Sequence, residues 1–296
     1  MPTPLRTLLF CPATEPAKIA KIAATGADAA VIDLEDAVSD ALKTSARADA
    51  FTSIAADAFA DYPVFVRVNS VSTGRTAEDV AAIMHPHLNG IVLPKTDDAD
   101  SVRLVESYLA EAERSAGVPE GQTRIIPLIE TAAGVYNAVE ILRASARIET
   151  AIFGFVDYML DVGIHCIDHT PDAQELLFAR SSLVLACRIA GVNPPLDGPF
   201  LGVRNPDALL AQCRQARSLG LAGKMLIHPS QVPIAQEGFA PSGEEVEQAM
   251  NIIKAFTAAE KNGIAAVVVD GRLVDYPVVH RARKIVASAT TVEAAL

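Results

Sequence analysis

The chain alternates short, nearly unbroken apolar runs with longer segments in which apolar residues recur every three or four positions. The apolar runs are LRTLLF (5–10), AAVIDL (29–34), VFVRV (64–68), GIVLP (90–94), RIIPLI (124–129), TAIFGF (150–155), NPPLDG (193–198) and KMLIHP (224–229). Short runs rich in Val, Ile and Phe predict strands, and their near-continuous apolarity predicts burial on both faces, as in a parallel sheet. The segments between them, such as KTSARADAFTSIAADAF, DADSVRLVESYLAEAERSAG and PDALLAQCRQARSLG, carry the helical period. Eight repeats of strand then helix predict an α/β fold, a (β/α)₈ TIM barrel, over residues 1–235. An open doubly wound sheet is the competing layout, but it would carry a Gly-rich nucleotide-binding turn that this sequence lacks.

Helix boundaries carry their own chemistry. Asn205 before Pro206 reads as an N-cap with proline at the first helical position, and Ser242 with Glu245 fits a capping box. Gly26, Gly117, Gly191 and Gly220 stand where helices should stop. Past the barrel, residues 236–296 predict a helix (243–262), an apolar run (264–270), the turn Asp270-Gly271, then LVDYP and a last helix. Asp-Gly between two apolar runs is a strong hairpin signal, so this second domain reads as a C-terminal helix–hairpin–helix appendage.

Composition narrows the function classes. Of 296 residues half are apolar, and 25 Lys plus Arg face 36 Asp plus Glu for a formal charge of −11. That composition excludes a disordered chain, and the absence of clustered Lys and Arg argues against nucleic acid as a partner. Cys11, Cys166, Cys187 and Cys213 are far apart and match no zinc-ligand spacing, which favours a reducing, cytoplasmic setting. The opening residues MPTPLRTLLF lack the cationic start and long apolar stretch of a signal peptide, and no apolar window is long enough to span a membrane.

In a barrel of this kind the chemistry sits at the carboxyl ends of the strands. Following each run leads to Glu35 and Asp36, Arg67 and Asn69, Lys95, Glu130, Asp157, Asp197 and His228. Acids converging on one mouth repel unless a cation neutralises them, and oxygen donors without thiolates suit Mg²⁺ or Mn²⁺. Glu130 and Asp157, from neighbouring strands, are the economical direct ligands, with Glu35 and Asp36 holding metal-bound waters. The plainer reading is that each acid caps a helix or pairs with a cation. Arg67 interrupts a buried strand and must meet an anion there: a structural partner such as Glu35, or a substrate carboxylate.

Other polar residues are weaker signals. His165, Cys166, Asp168 and His169 lack metal-ligand spacing and read as a loop that contacts substrate or a neighbouring subunit. His85 and His87 fall near a helix end and read as structural, and Cys11 reads as a packing residue. His228 reads either as ordering the last strand end or as touching substrate.

The strings LLFCPATEP, DLEDAV, VRVN, LPK, IETAAGV, GFVDYMLDVG, LDGP, GKMLIHPSQ and DGRLVDYPVVHRA run through almost the whole chain. In that order they resemble the citrate lyase β-subunit family of the HpcH/HpaI aldolase superfamily, which also holds malyl-CoA and citramalyl-CoA lyases. The resemblance implies a Mg²⁺-dependent barrel, a homotrimer or dimer of trimers, acting on a CoA thioester and a 2-oxo acid. It implies metal ligands Glu130 and Asp157, Glu35 and Asp36 around the metal-bound water, and Arg67 on the oxo-acid part. It makes Asp275, in LVDYP, the acid that reaches an adjacent subunit's active site and handles the enolate.

Two departures matter. GFVDY stands where the family more often has GTEDL, placing Phe155 and Val156 before the metal aspartate. Ala17 stands near an expected Arg, leaving Lys18 and Lys21 as the candidates for CoA phosphates. The implied reaction splits a 3-hydroxy-carboxyacyl-CoA, such as (S)-citramalyl-CoA or malyl-CoA, into acetyl-CoA and pyruvate or glyoxylate. The alternatives are a thioesterase on the same scaffold, a citrate lyase β subunit acting on a carrier-protein thioester, and an aldolase without CoA.

Overall fold

Eight parallel strands close on themselves in sequence order: β1 (Thr7–Pro12), β2 (Ala29–Asp33), β3 (Val64–Arg67), β4 (Leu88–Leu93), β5 (Arg124–Ile129), β6 (Ile152–Phe153), β7 (Leu196–Asp197) and β8 (Gly223–Leu226). The closing pairs run from Thr7 opposite Lys224 to Leu9 opposite Leu226. The structure is a computed structural model that describes residues 5–167 and 169–293. The barrel strands lie within a compact unit, Met1–Gln236, and a second unit comprises Glu237–Leu296.

The helices that follow the strands are α1 (Pro16–Ile19), α2 (Lys43–Ile54), α3 (Thr76–Ile83), α4 (Ala99–Ala116), α5 (Ala132–Tyr136), α6 (Ala138–Arg143), α7 (Phe155–Asp161), α8 (Leu177–Ala190), α9 (Pro206–Leu219) and α10 (Gln231–Phe239). Their ends follow the local chemistry. Asn205 accepts from the Ala208 N–H at 3.2 Å with Pro206 at the first helical position, and Gly117, Gly191 and Gly220 close α4, α8 and α9 with positive φ.

One buried cluster fills the barrel: Leu8, Phe10, Ala29, Val31, Phe65, Val92, Ile126, Leu128, Ile152, Leu196 and Met225. Residues two apart on a strand share a face, so the next inward positions toward the mouth are Asp33, Arg67, Glu130 and Gly154. The same alternation that packs an apolar plug below therefore aims charge inward above it. Asp197, adjacent to inward Leu196, faces the other way, toward the helical layer.

β6 and β7 are two residues each, shorter than the apolar runs around them predict. Gly154 already caps α7, and Pro194 and Pro195 have no N–H to give a ladder.

In the second unit, α11 (Gly243–Glu260) opens with a complete capping box between Ser242 and Glu245. The hairpin β9 (Val267–Val269) and β10 (Arg272–Val274) turns at Asp270 and Gly271, with φ of 49° and 75° as a type I′ turn requires, and leads to α12 (Tyr276–Glu293). Phe256, Val274 and Val279 form this unit's own core. Among the described residues, no helix is long and apolar enough to cross a membrane.

Candidate active site

β2 and β3 place Asp33 directly opposite Arg67. Arg67 Nε donates to Asp33 Oδ1 at 2.8 Å and Nη2 to Oδ2 at 2.6 Å, a two-point clamp. Its remaining nitrogen, Nη1, lies 3.2 Å from Glu35 Oε2 and 4.0 Å from Asp36 Oδ2, and the guanidinium carbon stands 5.7 Å from the centre of the Phe10 ring. Burial works against the charge, but the hydrogen bonds and charge of Asp33 more than offset it, and the Arg67 pKa is raised. The anion that sequence reasoning required is thus chiefly Asp33, which it had not singled out.

Glu35 is buried at the tip of the turn after β2. Its Oε1 accepts from Lys95 Nζ at 2.8 Å, while Oε2 has no hydrogen-bond partner. Burial raises its pKa, opposed by Arg67 and Lys95. Lys43 Nζ, donating at 2.7 Å to both the Leu34 and the Glu35 carbonyls, holds this turn. Asp36 is more open and stands 3.7 Å from Lys95 Nζ.

Glu130, next beyond β5, is 2% exposed and its pKa is pushed up to about 8 by burial, with the charges of Asp157 and Glu35 adding to it. Opposing them are the Lys95 backbone N–H, which donates to Oε1 at 2.8 Å, and the charge of Arg67. Lys95 holds φ of 48°, a left-handed conformation, while its N–H meets Glu130 and its Nζ meets Glu35. A Cβ at Gly154 would lie 2.6 Å from Glu130 Oε2, so this inward position must lack a side chain. Asp157 stands in the first turn of α7 rather than on the strand.

These residues fit a divalent cation. A carboxylate with so few compensating donors, next to a second acid, is stabilised in its charged form by a cation, and Glu130 and Asp157 offer hard oxygen donors. Glu35 Oε2, which has an ion-pair contact with Arg67 but no hydrogen bond, is suited to a metal-bound water. Among the described residues, no group of three or more His, Cys, Asp or Glu side chains converges on one point, so waters and substrate would complete the coordination.

The remaining predicted residues divide clearly. Asp197 accepts from Lys224 Nζ at 2.7 Å and pairs with Arg180 Nε at 3.1 Å, all three buried, so its charge is spent behind the sheet rather than at the mouth. Asn69 is tied to Asp79 by its N–H and Nδ2 at 2.8 and 2.7 Å. His228 Nδ1 lies 2.8 Å from Ser230 Oγ at the end of the last strand. Cys11 is buried, its thiol pushed up to about 11 by burial, in keeping with a packing residue.

Lys18 and Lys21 are exposed at α1, Lys18 lying 3.3 Å from Glu15. His85 and His87 stack edge to face at 4.5 Å beyond α3. His169 packs edge-on against Phe155 at 4.9 Å and meets Gln212 at 2.7 Å, whereas Cys166 is exposed and Asp168 lies outside the described residues. Asp275, in the second unit, precedes α12, its Oδ1 3.4 Å from the Val278 N–H. Asp33 and Lys95 are the residues whose roles sequence reasoning missed. The signal for Asp33 was its inward parity with Ala29 and Val31.

The HpcH/HpaI aldolase/citrate lyase family matches residues 6–229. The chain belongs to that family. Family membership makes it a carbon–carbon lyase. It is 34% identical to a citrate lyase subunit beta of Leuconostoc mesenteroides subsp. cremoris over 280 residues, covering 95% of this chain and 91% of the relative. It is 32% identical to an L-malyl-CoA/beta-methylmalyl-CoA lyase of Cereibacter sphaeroides, covering 98% and 96%. Among solved structures, CitE from Mycobacterium tuberculosis in complex with magnesium, acetoacetate and coenzyme A is similar at a TM-score of 0.78 and 28% identity, over 98% of this chain and 100% of that one.

Proposed function

We propose that this chain is a divalent-cation-dependent CoA-ester lyase that splits a 3-hydroxy-carboxyacyl-CoA, such as (S)-citramalyl-CoA or malyl-CoA, into acetyl-CoA and pyruvate or glyoxylate. The observation that carries the reading is Glu130: an inward, buried carboxylate at the barrel mouth, its pKa pushed up to about 8, beside Asp157. An acid pair this costly is stable in its charged form when it holds a cation. The relatives named above act in the same direction, since malyl-CoA lyase and citrate lyase both break carbon–carbon bonds of hydroxy acids.

In this reading Glu130 and Asp157 hold Mg²⁺, and Glu35 and Asp36 hold its waters. When bound, the ion supplies Lewis-acid polarisation of the substrate's oxygen. Asp33 keeps the Arg67 guanidinium in one orientation, so that its Nη1 edge faces the oxygen on which charge develops. Lys95 donates to Glu35 and holds it in place. As the carbon–carbon bond breaks, its electron pair passes to the thioester as an enolate, the substrate hydroxyl releases its proton to water, and the carbinol carbon becomes the carbonyl of the 2-oxo acid. Asp275 donates the proton that turns the enolate into the acetyl methyl group, and removes it in the reverse direction. The C-terminal appendage, residues 236–296, delivers Asp275 to a neighbouring subunit of a homotrimer, and Lys18 and Lys21 bind the CoA phosphates.

The test is a Mg²⁺-dependent assay of the purified chain on citramalyl-CoA and malyl-CoA, following acetyl-CoA, 2-oxo acid and free thiol together. Acetyl-CoA appearing in step with pyruvate or glyoxylate is the expected result. Free CoA with an intact hydroxy acid overturns it in favour of a thioesterase, and silence on CoA esters favours a carrier-protein thioester as substrate. Asp275→Asn should abolish turnover while keeping Mg²⁺ binding; an unchanged rate removes Asp275 from the mechanism.

A further inference from the structure

The helix that carries Asp157 begins where the barrel is least laddered. β6 meets β7 through one residue pair, Ile152 with Leu196, and meets β5 through two. The first turn of a helix also has no intrahelical partner for its N–H groups. Something other than sheet pairing must therefore fix where α7 starts.

What lies against that start is Gly198. A Cβ at Gly198 would stand 2.6 Å from the Phe153 carbonyl oxygen, 3.2 Å from the Phe155 ring and 3.3 Å from the Phe155 nitrogen. The backbones of β7 and of the β6–α7 turn are thus in direct contact, with no room for a side chain. On the other flank, the Gly154 N–H donates to the Ile129 carbonyl at 2.9 Å, and the missing Gly154 side chain is the space occupied by the Glu130 carboxylate. The turn is seated between Glu130 and Gly198.

Gly198 is itself held by the residue before it. Asp197, opposite Lys224 in the β7–β8 register, accepts from Lys224 Nζ at 2.7 Å and from Arg180 Nη2 at 3.2 Å, with Arg180 Nε 3.1 Å from its other oxygen. Arg180 comes from α8 and continues to Gln215 Oε1 at 3.1 Å on α9. One carboxylate thus binds β7 to β8 and to α8, and through Arg180 to α9, without entering the mouth. A buried ionic cluster of this kind gains little stability over well-packed apolar residues, but it admits few alternative arrangements.

We propose that Asp197, Lys224 and Arg180 with Gly198 are a positioning device: they lock the end of β7, and Gly198 transmits that position to the start of α7, setting Asp157 against Glu130. None of the four touches substrate. The proposal rests on the reading that Glu130 and Asp157 hold the metal.

The test compares Mg²⁺ affinity by calorimetry with the metal-free melting temperature, using full-length protein at a temperature where circular dichroism shows each variant folded. Gly198→Ala and Lys224→Met should each weaken Mg²⁺ binding about tenfold or more. Glu113→Gln, which breaks a buried pair elsewhere, should lower the melting temperature and leave the affinity unchanged. If Gly198→Ala and Lys224→Met lower only the melting temperature while Glu130→Ala abolishes binding, the positioning role is overturned and the metal site stands. If Glu130→Ala binds Mg²⁺ as the parent does, or the parent does not bind it, both fall together. Asp197→Asn supplies an independent variant should Lys224→Met not fold.

Discussion

Two buried glutamates of this barrel show opposite solutions to the same problem. Glu113 on α4 is fully enclosed, and its two oxygens accept from Arg147 Nη1 and Nη2 at 2.7 and 2.8 Å and from the N–H groups of Thr123 and Gly121 at 2.8 and 2.9 Å. Burial alone would raise its pKa, but those donors bring it down to about 2. Glu130 is as buried, has one backbone donor and two acidic neighbours, and rises to about 8. A carboxylate whose partners are all supplied by the protein is part of the framework. One left short of donors at the mouth of a barrel suits a partner that comes from outside, which is the role proposed for Glu130.

Exchanging the two roles gives the largest expected effects. Glu130→Ala should remove Mg²⁺ binding and cost at least about 10³-fold in lyase turnover, roughly 4 kcal/mol at the transition state, while the metal-free melting temperature holds or rises. A variant that turned over normally would put the metal elsewhere. Glu113→Ala should do the reverse. It strands Arg147 in the interior and should cost about 3–5 kcal/mol in urea unfolding, with Mg²⁺ affinity in calorimetry unaltered.

Next in size, Asp33→Asn loosens the clamp on Arg67 and should lower turnover about 10²-fold, with a smaller change in Mg²⁺ affinity. An equal loss in both would place Asp33 at the metal rather than behind the guanidinium.

The smallest effects are in the pH dependence of metal-free stability. With Glu113 held near 2, its stabilisation is present above the ordinary Glu pKa of 4.5 and is lost as pH falls toward 2. With Glu130 raised, its contribution is present below 4.5 and is lost as pH climbs toward 8. Glu113→Gln should flatten the acid limb of a stability profile and Glu130→Gln the limb between pH 5 and 8. Saturating Mg²⁺ should also lift the second limb, because the ion binds the ionised carboxylate.

The barrel was legible because each strand is an apolar run and each helix has the helical period, so eight repeats predicted the closed sheet that is observed. Arg67 was legible because a charge in such a run has to be explained, and Glu130 because it follows one at its carboxyl end. Asp33 was not, although AAVID places it on the same face as Ala29 and Val31, because it is the last residue of the strand and two further acids, at 35 and 36, follow it. The error on Asp197 has a different source. NPPLDG contains two prolines and a two-residue strand, too little pattern to tell inward from outward, and the neutralising Arg180 and Lys224 are distant in sequence.

Lys95 sets a limit on how this site can change by mutation. Its left-handed backbone would be most comfortable as glycine or asparagine, and either could still present the N–H that meets Glu130. Neither carries the ammonium that meets Glu35. Residues that relax the backbone remove the charge, and arginine, which retains the charge, keeps the strain. The position therefore has few neutral neighbours in sequence space, and its tolerance to substitution should be far narrower than its partial exposure suggests.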